Sequence, residues 1–346
     1  MKKYKLIYLF GVFLLILPFF AWSLRTNEKD LEIKEFPKSL QLNSKMESDE
    51  GILVSAYSDM QLYGNYLLVL DNRSDSIIKF FDKSNLKYLF SRIPKGKEPN
   101  EIRHIETMQV RDKKIFLFNN LDNQFIGIDL LNLINDNYSI PESSINIDLP
   151  YAYDCNLTNS DKLIASGGTK DCILYVYDTS GNILNKVGQN PDKSPEGFTR
   201  VEYFNSLNKF RIEPFPNKDQ FIISSWFSDK VQVFSETGQG IYNLIGADKI
   251  SARFDYSGGC PIPDSIKFGF YDIIISKKFI YGLYSGYYQM DQNQTTSVMI
   301  FSHKGKAIAR FELGKNLKAF EVDEKNGIIY GIQLRPNKIF MYEFEL

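Results

Sequence analysis

The chain has 346 residues, with 41 basic side chains against 42 acidic ones for a net charge of −1, and 14% of it is aromatic. Charge this evenly balanced leaves no electrostatic footprint for nucleic acid, and two histidines rule out a histidine-rich zinc cluster or proton relay. The 27 Phe and 21 Tyr instead supply the bulky, flat side chains that strand-built cores favour.

In chain order, the first segment is Met1 to Lys5, which is basic, followed by Leu6 to Leu24 without a charge before Arg25. This pattern reads as an export signal, with Ala21-Trp22-Ser23 as a small-x-small cleavage site. The apolar run is also close to the shortest membrane span, so an uncleaved anchor is the alternative. Residues 1–25 are therefore expected to be a signal peptide or N-terminal membrane anchor, and residues 26–346 one domain. In both cases the lysines hold the N-terminus in the cytoplasm and send the rest across. The domain is then exported, either periplasmic or anchored, and touches the membrane only through that segment if it stays uncleaved. No Cys follows the apolar run as a lipid acceptor.

Leu31 to Leu42 is strand-like and precedes a polar stretch, residues 43–51, that reads as a connecting loop. A hairpin then recurs six times. Its first strands end at Asp71, Asn119, Gly167, Ser225, Tyr284 and Gln333, and its second strands at Phe81, Ile128, Tyr177, Phe234, Phe301 and Tyr342. Tight turns such as Gly64-Asn65 place another strand before each hairpin, and turns such as His303-Lys304-Gly305-Lys306 lead to a polar outer strand. Intervals of 47, 49, 57, 67 and 41 residues between the second-strand ends are those of propeller blades. The predicted fold is an all-β, six-bladed β-propeller of four-stranded antiparallel blades. The last repeat stops at Leu346, short of a fourth strand, and Leu31 to Leu42 is placed to supply it.

Two segments between blades carry a family resemblance. Phe90-Ser-Arg-Ile-Pro-Lys-Gly-Lys-Glu-Pro-Asn-Glu101 and Lys186-Val-Gly-Gln-Asn-Pro-Asp-Lys-Ser-Pro-Glu196 resemble the links into the inner strand found in six-bladed propellers of the NHL and TolB-like superfamily, above all the exported bacterial TolB-like proteins. The resemblance spans roughly residues 31 to 346 and implies the fold more than any chemistry.

In such a ring the loops between second and third strands and the links between blades share one face at the channel mouth. That face is expected to gather Arg73, Arg103, His104, Arg200, Trp226, Arg253 and Arg335, with Tyr287 and Tyr288 in the long loop from Tyr284 to Thr296. Cations beside aromatics suit a protein, peptide or saccharide ligand. A second pattern lies on the inner strands, where Asp59, Glu106, Asp154, Glu213, Asp272 and Glu321 sit 12 or 13 residues before the six first-strand ends. Carboxylates there can accept from the unpaired strand edge that faces the channel. They can instead converge on a cation, with calcium the ion that many hard oxygens suit. Like charges at this spacing need a cation or an arginine between them, and Arg103, Arg200 and Arg211 are near enough in sequence.

Catalytic motifs are sparse. His104 and His303 lie far apart in the ring, and no Gly-x-Ser-x-Gly occurs. Cys155, Cys172 and Cys260 have no neighbouring His in sequence and read as buried free thiols, with Cys155 on a first strand and Cys172 on a third. The expected function is a non-catalytic exported binding protein that uses the channel-mouth face. A calcium-dependent hydrolase resembling six-bladed lactonases is the alternative.

Overall fold

The computed structural model describes residues 29–49, 53, 59–140, 143–149, 152–167, 172–188, 210–250, 267–288 and 290–346. The segment expected to be a signal or anchor, together with Arg200, Arg253 and Cys260, lies outside the described residues.

Short apolar strands alternate with polar turns, and each group of four folds back on itself as one sheet. The N-terminal segment carries β1 (Lys29–Glu32), β2 (Ser39–Gln41) and β3 (Ser44–Glu47). Blade one is β4 (Met60–Tyr63), β5 (Tyr66–Leu70), β6 (Ser76–Asp82) and β7 (Tyr88–Pro94). Blade two is β8 (Thr107–Arg111), β9 (Lys114–Asn119), β10 (Gln124–Asp129) and β11 (Ser143–Asn146), with one short helix, α1 (Leu130–Ile134), before its last strand. Blade three is β12 (Ala152–Leu157), β13 (Leu163–Gly167), β14 (Leu174–Tyr177) and β15 (Ile183–Val187). Blade four is β16 (Phe210–Pro214), β17 (Gln220–Ser225), β18 (Lys230–Ser235) and β19 (Gly240–Ile245). Blade five is β20 (Phe270–Ile275), β21 (Phe279–Tyr284), β22 (Ser297–Ser302) and β23 (Ala307–Glu312). Blade six is β24 (Leu317–Asp323), β25 (Ile328–Leu334) and β26 (Asn337–Glu343), completed by β3.

Each inner strand packs beside the inner strand of the next blade, and β24 returns to β4, so the ring closes. The core lies between the sheets. Leu70 and Ile78 of blade one and Met108, Ile115 and Ile126 of blade two form one buried cluster, none of them more than 2% exposed. Full burial of each such side chain stabilises the fold by roughly 1.5–3 kcal/mol.

The N-terminal segment closes the ring as expected, but with a different stretch of chain. The closing strand is β3, antiparallel to β26 with Phe340 opposite Glu47 and Met341 opposite Met46. The more apolar stretch before it runs along the outside of the ring. There β1 pairs in parallel with β19 from Lys29–Tyr242 to Glu32–Ile245, and β2 pairs in parallel with β23 from Ser39–Arg310 to Gln41–Glu312. Its apolar residues have a burial role of their own, since Ile33 joins a core cluster with Tyr242, Leu244 and Phe301, and Leu31 and Phe36 pack against it. The strap thus covers the outer edges of blades four and five, where backbone donors and acceptors would otherwise be unpaired. By contrast β3 is polar and exposed except at Met46, as an outermost strand is.

Candidate functional site

The inner strands present their side chains to the channel at successive levels. The hairpin registers place Thr107, Asp154, Arg211, Asp272 and Ala319 across from Phe118, Ser166, Ser224, Leu283 and Ile332, and Asp59 lies across from Leu70. Two residues further in, Gln61, Gln109, Asn156, Glu213, Ile274 and Glu321 lie across from Leu68, Phe116, Ile164, Ile222, Tyr281 and Tyr330. The six acidic residues therefore do not form one circle. Asp59, Asp154 and Asp272 share the outer level, Glu213 and Glu321 lie on the inner one, and Glu106 stands at the mouth.

An inner strand has one edge without a partner in its own sheet, so its backbone groups must be satisfied from elsewhere. The neighbouring blade supplies them. Asp59 Oδ2 accepts from the Met108 N–H at 3.0 Å, Asp154 Oδ2 from Ile212 at 2.7 Å and Asp272 Oδ2 from Phe320 at 3.4 Å. Glu321 likewise accepts from the Leu62 N–H. The same job falls to amides on the inner level, where Gln61 Oε1 accepts from Val110 at 3.1 Å and Gln109 Oε1 from Leu157 at 2.9 Å. The acidic residues of blades one, three, five and six are thus latches between blades.

Arg211 takes the place in blade four that an aspartate takes in blades one, three and five. Its Nε stands 3.4 Å from Asp272 Oδ1 and its Nη1 3.8 Å from Asp59 Oδ2. Burial works against the guanidinium's charge, but Asp272, Asp59 and Asp154 together outweigh it and raise its pKa. The carboxyls answer mainly to burial. Asp154 and Asp272 are each pushed up to about 7, with Arg211 pulling the other way. Glu321 is pushed up to about 8 by burial, with Asp59 and Asp272 adding to it. Glu213 rises well above the usual carboxylate range through burial and then Glu321, and it has no hydrogen-bond partner among the described residues. The cluster leaves about 20 Å³ of free space, of the order of one water molecule. Among the described residues no three His, Cys, Asp or Glu side chains are grouped to hold a metal ion.

The mouth is built differently. The link from β7 to β8 is pinned by Asn72, whose side chain donates to the Ile105 carbonyl at 2.7 Å and accepts from the Ile105 N–H at 2.9 Å. Lys95 Nζ donates to the Asn72 carbonyl at 2.7 Å, and the Ile140 N–H donates to Asn100 Oδ1 at 2.7 Å, tying the link to both blades. Between this link and the loop from β9 to β10 lies a cavity of about 300 Å³, lined at its rim by Lys97, Glu101, Arg103, Asn119, Asp122 and Gln124. Ile102, Ile126 and Ile140 contribute its aliphatic lining. A Cβ at Gly96 would stand 1.7 Å from Glu101 Oε2, so a larger residue there would displace the Glu101 carboxylate.

Among the described residues expected on the mouth face, Arg103 alone lines this cavity. It forms a forked ion pair with Asp122, with Nε 3.2 Å from Oδ2. His104 Nε2 lies 3.0 Å from Glu106 Oε2, which also accepts from Asn120 at 3.1 Å. Trp226 donates its indole N–H to the Tyr271 carbonyl at 3.0 Å and packs edge-on against that ring, so its polar atom serves the fold. Arg73 and Arg335 are exposed, outside the cavity lining. Of the three arginines expected to separate the carboxylates, Arg211 does so, Arg103 serves Asp122, and Arg200 is outside the described residues.

Some features of this face leave little trace in the sequence. Lys318 Nζ lies 3.7 Å from the centre of the Tyr271 ring and 5.7 Å from that of Phe268, and burial lowers its pKa to about 8. Asn119, Asp122 and Gln124 flank the β9–β10 turn and read as ordinary turn chemistry until the link folds over them. The thiols of Cys155 and Cys172 are buried and in no disulfide among the described residues, and Cys172 lies before β14 rather than on it. His303 packs edge-on against Phe215 and lies 3.0 Å from the Ser276 carbonyl, a structural histidine.

A family model described as TolB-like 6-blade propeller-like matches residues 35–325. Among solved structures, a member of the DUF4221 family from Bacteroides vulgatus is 12% identical over 88% of this chain and 98% of its own, with a TM-score of 0.56. A candidate exported protein from Bacteroides fragilis is 10% identical over 91% of this chain and 98% of its own, with a TM-score of 0.54. At these identities the likeness is one of fold. No curated protein matches the chain by sequence.

Proposed function

This chain belongs to the TolB-like six-bladed propeller family, and from that premise we propose that it is an exported, non-catalytic binding protein that receives a small ligand on its mouth face beside Arg103. The observation that carries the reading is the cavity of about 300 Å³, which reaches the lower end of the range for small-molecule sites and is built on a pinned link. Among the described residues, the channel cluster of Arg211 and its carboxylates leaves about 20 Å³. Against calcium, Arg211 already supplies the positive charge between Asp59 and Asp272, and each of these two carboxylates accepts backbone N–H groups through both of its oxygens. Export rests on the basic start and uncharged run of residues 1–24. Among the described residues no helix is long and apolar enough to cross a membrane.

The test is a thermal-shift screen of the purified protein against amino acids, saccharides and short peptides, repeated with Asp122→Ala and with a chelator. Stabilisation by a screened compound that Asp122→Ala removes and the chelator leaves alone supports the reading. Stabilisation that Asp122→Ala leaves intact, or that disappears with the chelator, contradicts it. Fractionation of cells carrying the full chain with a C-terminal tag checks export, and recovery from the cytoplasm alone would refute that part.

A further inference from the structure

The chemistry of the mouth cavity defines a ligand class, an inference that rests on the reading of that cavity as the binding site. Its four charged rim residues, Lys97, Arg103, Glu101 and Asp122, sum to zero formal charge. The charges are also largely spent. Asp122 holds Arg103 through both oxygens and accepts from Asn119 Nδ2 at 2.8 Å. Asn119 Oδ1 in turn accepts from the backbone N–H groups of Leu121 and Asp122, each at 3.2 Å, so that amide positions Asp122. Glu101 Oε2 accepts from the Glu98 N–H at 2.9 Å within its own link. An anionic ligand would have to compete with Asp122 for Arg103, and such a pre-formed forked pair is the stronger kind of charged hydrogen bond.

The groups left available are planar and polar. The Gln124 side chain has no partner among the described residues and offers both donors and an acceptor. Glu101 Oε1 and the remaining N–H groups of Arg103 add an acceptor and donors beside it. Ile102 and Ile126, 2% and 1% exposed, close the bottom of the cavity from below, and the half-buried Ile140 is the aliphatic side chain that faces its opening. Adjacent donors and acceptors beside the Ile140 side chain match vicinal hydroxyl groups on a ring whose C–H face is apolar.

We propose that the cavity between the β7–β8 link and the β9–β10 loop binds a neutral saccharide unit, with Gln124 and the Arg103–Asp122 pair engaging its hydroxyl groups and Ile140 its C–H face. Lys97 stands at the exposed rim.

Saturation-transfer NMR on the purified protein tests this with glucose, galactose, N-acetylglucosamine and maltose as neutral probes, and galacturonate, alanine and glutamate as charged ones. Saturable binding of at least one neutral probe is expected, weakened at least tenfold by Gln124→Ala and unchanged by Arg335→Ala, which lies outside the cavity. Binding of charged probes alone, still sensitive to Gln124→Ala, overturns the saccharide class while leaving the cavity as the site. Probe binding that is insensitive to Gln124→Ala overturns both. No neutral probe binding up to tens of millimolar overturns the saccharide class.

Discussion

Arg211 Nε lies 3.4 Å from Asp272 Oδ1, at a channel level where blades one, three and five each carry an aspartate. One cation therefore ties blade four to blade five and, through Nη1 at 3.8 Å from Asp59, reaches toward blade one. Arg211 and its carboxylates fill the channel at this level to within about 20 Å³, and the ligand site proposed above lies at the mouth instead.

Removing that cation leaves the carboxylates buried without a counter-charge. Arg211→Met is expected to destabilise the protein by about 3–5 kcal/mol, the cost of breaking a buried pair from one side. The loss should be larger at pH 8 than at pH 5, because protonated carboxyls need no partner. Urea unfolding at the two pH values measures this, and equal losses at both would remove Arg211 from its role as plug.

Burial sets the sign of the pH dependence. Asp154 and Asp272 rise from 3.8 to about 7 on folding, and Glu321 from 4.5 to about 8. Between those values the native protein holds protons that the unfolded chain has released, so stability falls as pH rises from about 4 to about 8 and levels off above. Asp323 acts in the opposite sense, because Lys83 and Asn326 outweigh its burial and lower its pKa, and its contribution is lost as pH falls below the ordinary carboxylate value. The optimum is therefore mildly acidic. Denaturant midpoints from pH 4 to 9 check it, and Asp154→Asn should flatten the slope.

The outer strap makes a separate prediction. Gly305 has φ +79°, and a Cβ there would stand 2.6 Å from Leu31 Cδ1 and 2.7 Å from Leu244 Cδ2. Gly305→Ala should cost about 1–3 kcal/mol through overpacking, with backbone strain in addition. Combining it with Leu31→Ala should cost less than the sum of the two single changes, because the shorter side chain yields space. Melting temperatures of the four proteins in the cycle decide it, and strict additivity would separate Gly305 from the strap.

Lys318 should titrate near pH 8, since burial against Tyr271 and Phe268 disfavours its charged form. Reductive ¹³C-methylation followed by NMR resolves individual amine midpoints, and a Lys318 midpoint in the ordinary lysine range would contradict the burial.

The fold was legible because a propeller repeats the same alternation six times, and each Gly- or Asn-rich turn marks a reversal that chain chemistry alone requires. The closing strand was less so. Leu31, Ile33 and Phe36 are apolar because they pack on blades four and five, so their pattern reports burial without reporting which edge they pair with. Ser44–Glu47 closes the ring with a polar sequence that resembles a loop. The carboxylates show a related limit. A fixed count along the chain passes through strand, turn and strand, and does not fix the level across a hairpin: Asp59 lies opposite Leu70 at the end of β5, whereas Glu213 lies opposite Ile222 midway along β17. The mouth cavity depends on a link folding over a turn from the next blade, a contact between distant residues that neither segment announces by itself.

Isoleucine methyl NMR distinguishes the proposed mouth cavity from the channel directly as the place where a ligand binds. Titration of the protein with a neutral saccharide should shift the methyl signals of Ile102, Ile126 and Ile140 and leave those of Ile212 and Ile273 in place. Shifts at Ile212 and Ile273, with none at the three cavity residues, would contradict the mouth site.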